Sequence, residues 1–131
     1  MKKYLFVFLG FLFTSVSMVA QSEDAKTLHE NARTFMRQGD FNNAIIILTR
    51  ALQMDKNNIE MQKDLAMSYY YKRDYGKALD EVKILMDRDD ADVVAFQIAG
   101  NVYKALEEVK EADKVYRRGL KKFPASGPLY S

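Results

Sequence analysis

The chain has 131 residues, of which 48% are hydrophobic, enough for one small domain with a modest core. It has no cysteine, which excludes disulfides and thiolate metal sites, and a single histidine, His29, which excludes a multi-histidine metal site. The formal charge of +2 comes entirely from Lys2 and Lys3; without them 18 basic residues face 18 acidic ones, too even a balance for non-specific binding to nucleic acid.

The first element is an address. Lys2 and Lys3 precede an apolar block, Tyr4 to Phe13, and then a stretch of small and polar residues that ends at Ala20. That layout predicts a signal peptide over residues 1–20, cleaved between Ala20 and Gln21 or, alternatively, after Ser17. Cleavage implies an extracytoplasmic protein, periplasmic or secreted, with no stable membrane span. If the leader stays, it becomes a membrane anchor, because no charge occurs between Lys3 and Glu23 and a span needs about 20 apolar residues.

From there on the chain repeats itself every 34 residues. Ala32, Ala66 and Gly100 are evenly spaced, as are Phe35, Tyr69 and Tyr103, then Ala44, Ala78 and Ala112, then Leu48, Val82 and Tyr116. Each series keeps its chemistry: small, aromatic, alanine, large apolar. Within each interval, apolar residues recur three and four apart, the helical period, which predicts six helices. Breaks are expected near Gly39, Asn57, Asp74, Asp90 and Glu107. Asp40, Asp74, Asp92 and Ser126 suit helix starts, and Asn57 with Glu60 three residues later forms a capping-box pattern.

This pattern resembles the tetratricopeptide repeat. The likeness is closest in the third unit, Phe96-x2-Ala99-Gly100-x2-Tyr103, then Ala112-x3-Tyr116, then Pro124. The second unit departs most, with Gln62, Leu85 and Asp90 where an aromatic, a small residue and proline are usual. The resemblance implies an all-α solenoid of antiparallel helix pairs with three units, about 25–58, 59–92 and 93–126, in a domain spanning 21–126. Residues 127–131 would begin an incomplete fourth unit. It also implies a protein-interaction scaffold that binds a protein or peptide in a concave groove lined by the first helix of each unit. The alternative is the N-terminal repeat segment of a longer envelope protein or enzyme whose functional domain lies beyond Ser131.

Carrying the groove positions across gives Arg33, Met36 and Arg37 with Lys26 and His29 from the first unit. The second supplies Lys63, Met67, Tyr70 and Tyr71 with Glu60. Asn101 and Lys104, with Val94, Gln97 and Ala105, come from the third. One subclass of the family grips a C-terminal carboxylate with Lys, Asn and Arg side chains. The matching places here are His29, Arg33, Asp64, Val94 and Ile98; only Arg33 suits that ligand, and Asp64 would repel it.

No motif points to catalysis, a cofactor or a bound metal, so an enzyme is not expected. The run Asp87, Asp89, Asp90, Asp92 fails as a calcium loop, because its sixth and twelfth places hold Asp92 and Ile98 rather than glycine and glutamate. Arg117, Arg118, Lys121 and Lys122 fall in the last turns of a helix, where cations complement its dipole. Solenoids usually end in a polar capping helix. Without one, Val115, Leu120 and Phe123 are expected to be uncovered, with Val109 and Tyr116 turned to their own partner helix, and self-association through this last helix is a further expectation.

Overall fold

The computed structural model describes residues 23–124; the expected leader, residues 1–20, the expected cap Ser126 and residues 127–131 lie outside them. Six helices follow one another: α1 (Ala25–Arg37), α2 (Phe41–Met54), α3 (Ile59–Tyr71), α4 (Tyr75–Met86), α5 (Val93–Ala105) and α6 (Val109–Lys122). There is no strand among the described residues, and no helix there is long and apolar enough to cross a membrane.

Helix starts follow local chemistry. Asp24, Asp40, Asp74 and Asp92 each accept a hydrogen bond from the backbone N–H three residues on, which satisfies an orphan donor of the first turn. The α3 cap is Asn58, bonding Met61 N–H at 3.1 Å, one residue later than the Asn57 expected. Asn58 itself is tied back by its amide to Asp55, which sets the entry of α3. Glu108, before α6, makes no side-chain cap bond; its side chain is one methylene longer than that of a good capping residue.

The turn inside each unit is the same three times over. Gly39, Arg73 and Glu107 have φ of 76°, 67° and 61°. The next residue's N–H returns to a carbonyl five residues back: Asp40 to Phe35, Asp74 to Tyr69 and Glu108 to Tyr103, each at 2.9 Å. This left-handed helix ending favours glycine, yet only the first turn has it.

Each helix packs on its chain neighbours, and the first helices α1, α3 and α5 also touch one another, whereas no two second helices make comparable contact. The stack therefore curves with the first helices inside. Ala32, Ala66, Ala44, Ala78 and Ala112 are buried at the seams, where a small side chain lets the helices approach. In the third unit the seam is exchanged: a Cβ at Gly100 would overlap the ring of Tyr116, whose counterparts are Leu48 and Val82. One methyl is absent because a larger ring is present. Two buried clusters result, one centred on Leu28, Leu48 and Leu65, the other on Phe96, Leu85 and Val102, with the half-buried Tyr69 packed against both.

The last helix differs from expectation. Val115 is buried, and Leu120 and Phe123 are half-buried against the core, Phe123 edge-on to Phe96 at 6.2 Å between centroids. Val109 is the exposed residue, at 69%. It opens α6 at the place held by Phe41 and Tyr75 in the earlier units, where each of those rings meets an aromatic residue of α3; Val109 is too short to continue the row.

Candidate functional site

The inner face divides into two ends. From the starts of α1, α3 and α5 as far as Arg33 in the third turn of α1, charges are paired across helices. Asp64, with a side chain only 12% exposed, accepts from Arg33 Nε at 2.7 Å and lies 2.6 Å from His29 Nε2. An ionised carboxylate only accepts, so that imidazole nitrogen carries the proton in this pair. Arg33 also reaches Glu60 at 3.9 Å. Lys63, 8% exposed, donates to Glu60 at 2.7 Å and to Asp92 at 2.6 Å, while Asp92 caps α5 through Ala95 N–H.

The titration of these groups follows their contacts. The hydrogen bond to Asp64 raises Arg33 above its ordinary range. Burial pulls Lys63 down, but its bonds to Asp92 and Glu60 outweigh that and raise it. Burial pushes Asp92 up, and the bonds from Lys63 and the Ala95 N–H outweigh it and hold the carboxyl low. Arg33, Lys63 and Asp92 are thus held in their charged forms.

At the other end, where α1, α3 and α5 finish, the face is apolar and aromatic. Met36, Met67 and Tyr70 are half-buried and Tyr71 is 56% exposed. Tyr71 stacks on Phe41 at 5.3 Å between centroids, meets Tyr70 edge-on at 5.3 Å, and Tyr70 leans on Tyr75 at 5.8 Å. Four rings so run from the start of α2 across the end of α3 to the start of α4. Arg37 donates to Thr34 Oγ1 at 2.9 Å and has no carboxylate partner among the described residues. Lys104 is exposed and likewise has none. Asn101 Oδ1 accepts from Tyr116 Oη–H at 2.9 Å, which leaves its amide nitrogen to offer.

The nine residues carried over from the sequence therefore do not form one uniform surface. Met36, Arg37, Met67, Tyr70, Tyr71, Asn101 and Lys104 share the aromatic end; Arg33 is half-open but engaged; Lys63 is enclosed in its ion pairs. Phe41 and Tyr75 complete the ring row although sequence reasoning did not single them out. Their signal was present: they share one 34-residue register with Val109. The acidic run sorts into separate duties, with Asp90 gripping Arg88, Asp92 capping α5 and Asp87 lying near Arg118. Of the basic residues late in α6, Arg118 and Lys122 also sit over the Phe96 ring.

Residues 27–60 match a family model described as tetratricopeptide repeat. None of the curated proteins compared matches the chain. Among solved structures, the first repeat domain of human RPAP3 is similar, with a TM-score of 0.72 at 23% identity over 80% of this chain and 83% of that one. The Sgt2 domain from Aspergillus fumigatus gives 0.73 at 19% identity over 80% and 71%. The second repeat domain of human RPAP3, solved with the HSP70 peptide SGPTIEEVD, gives 0.69 at 23% over 80% and 88%.

Proposed function

We propose that this chain, which has the tetratricopeptide-repeat fold and matches that family's model over residues 27–60, is an exported interaction scaffold that holds a protein or peptide segment against the inner face of its stack. The observation that carries this reading is the row of half-buried Met36, Met67 and Tyr70 with the exposed Tyr71, beside two cations, Arg37 and Lys104. Tyr, Met and Arg are the residue types enriched where proteins meet, because they offer large contact area with polar tips. That a domain of similar fold has been solved in complex with a peptide supports a peptide-binding use of this fold. Export rests on the leader, Lys2-Lys3 followed by the apolar block to Phe13.

The test is cross-linking and capture from envelope and secreted fractions with the chain and with a Tyr70→Ala/Tyr71→Ala variant. A partner retained by the first and lost by the second is the expected result; identical capture by both removes the inner face from the interaction. Mass spectrometry of the exported chain checks the leader, with an N-terminus near Gln21 expected and an intact Met1 in the membrane fraction contradicting it.

A further inference from the structure

Charge is distributed unevenly along the inner face, and the difference selects a ligand. Toward the end where α1, α3 and α5 begin, Lys63 is taken by Glu60 and Asp92, and Arg33, in the third turn of α1, reaches back to Asp64. A ligand carboxylate arriving there would have to displace a 2.7 Å bond and leave Asp64, a nearly enclosed acid, without its guanidinium. At the opposite end Arg37 and Lys104 have no carboxylate partner among the described residues, on either side of Tyr70 and Tyr71. The nearby acids Asp40 and Asp74 are occupied as helix caps. Glu107 and Glu108 lie in the turn just beyond Lys104, and neither forms an ion pair with it, so the two open cations sit on α1 and α5 with the rings of α3 between them.

We infer that the groove takes an internal acidic segment rather than a chain terminus: a large apolar or aromatic residue seated on Met36, Met67, Tyr70 and Tyr71, with neighbouring Asp or Glu side chains paired to Arg37 and Lys104. The inference rests on the groove reading above and narrows it to one partner chemistry. The apolar anchor supplies affinity by burial on the rings, while the two unpaired cations select for negative charge beside it. A free C-terminal carboxylate is not required, because side-chain carboxylates satisfy Arg37 and Lys104 and the other inner-face arginine, Arg33, already holds an acid of the same chain.

The test uses the whole chain and random peptides displayed both within a loop and with free C-termini. Selected peptides are expected to combine an acidic residue with an adjacent large apolar one, and to bind equally well when synthesised with an amidated C-terminus. Arg37→Glu/Lys104→Glu should weaken them about tenfold, from the loss and reversal of two partly exposed pairs, whereas Lys56→Glu, in the distant α2–α3 turn, should change binding by under about twofold. Peptides that need a free carboxylate, or that bind the charge-reversed variant unchanged while still losing affinity for Tyr71→Ala, overturn the inference and leave the groove reading intact. If no peptide is selected, or if neither Tyr71→Ala nor the charge reversal affects binding, both readings fall.

Discussion

Helices α3 and α5 stand one repeat apart at equivalent places, yet they bury different chemistry. Helix α5 buries Phe96, Ile98 and Val102 where α3 buries Gln62, Asp64 and Ser68. Each polar group on α3 finds a partner: Gln62 accepts from Arg88 at 3.2 Å, Asp64 pairs with His29 and Arg33, and Ser68 donates to the Asp64 carbonyl at 2.8 Å. No enclosed side-chain polar atom among the described residues lacks one. The same backbone framework thus accepts either chemistry, provided neighbouring helices supply the matching groups. Burial of Phe96 and its neighbours stabilises the third unit without choosing directions. The pairs on α3 are directional, and they tie it to α1, to the start of α5 and to the turn after α4.

The largest effects should come from α5. Phe96→Ala is expected to cost about 3–5 kcal/mol, a large share of the stability of a domain of this size, as read by chemical denaturation. Gly100→Ala should cost about 1–3 kcal/mol because the new methyl meets the Tyr116 ring, even though alanine is the better helix former. Combining it with Tyr116→Leu, the pairing of the first unit, should recover part of that loss. A double variant no more stable than the single one would mean that the exchange of small and large residues across this seam is coincidental.

On α3 the effects should be smaller and should spread to other elements. Arg88 donates to Gln62, to both oxygens of Asp90 and to the Asn57 carbonyl, so it links the α2–α3 turn to the α4–α5 turn. Arg88→Ala should cost about 1–3 kcal/mol, with amide hydrogen exchange rising in both turns. Equal protection in the α2–α3 turn would show that the link does not hold it.

The ion pairs also predict a pH dependence that α5's apolar contacts lack. Asp92 is held below its ordinary value of 3.8, so its contribution is present above that value and is lost as pH falls through its lowered one. Lys63 is raised above 10.5, so its contribution is present below that value and is lost as pH rises through its raised one. Asp92 is 41% exposed, which screens the pair and keeps the acid-side change small. Asp92→Asn should flatten the stability profile in acid; an unchanged slope would place that dependence elsewhere.

The smallest expected effect lies in the turns. Glu107→Gly and Arg73→Gly relieve a left-handed conformation without removing a packing contact, and each should stabilise by up to about 1 kcal/mol. If thermal denaturation shows no gain from either, the conformations at 73 and 107 carry no strain.

Helix number, pairing and seam positions were legible in the sequence, because each 34-residue unit must bury the same face and so repeats its small and large residues at fixed places. The caps Asp40, Asp74 and Asp92 were legible too, whereas Asp24 was not singled out and Asn58 took the place expected of Asn57, since capping depends on backbone geometry at one residue. What the sequence left open was the use made of the polar residues. Gln62 and Asp90 read as departures from a pattern until Arg88 is seen to join them, and Lys63 reads as a groove contact until Glu60 and Asp92 enclose it. Glu60 is local to Lys63, but Arg88 and Asp92 come from the connection between α4 and α5, 26 residues from Gln62 and 29 from Lys63, and no local period records those pairings. Burial follows periodicity along one helix; the pairing of charges depends on which helices lie side by side, and that only the stacked structure decided.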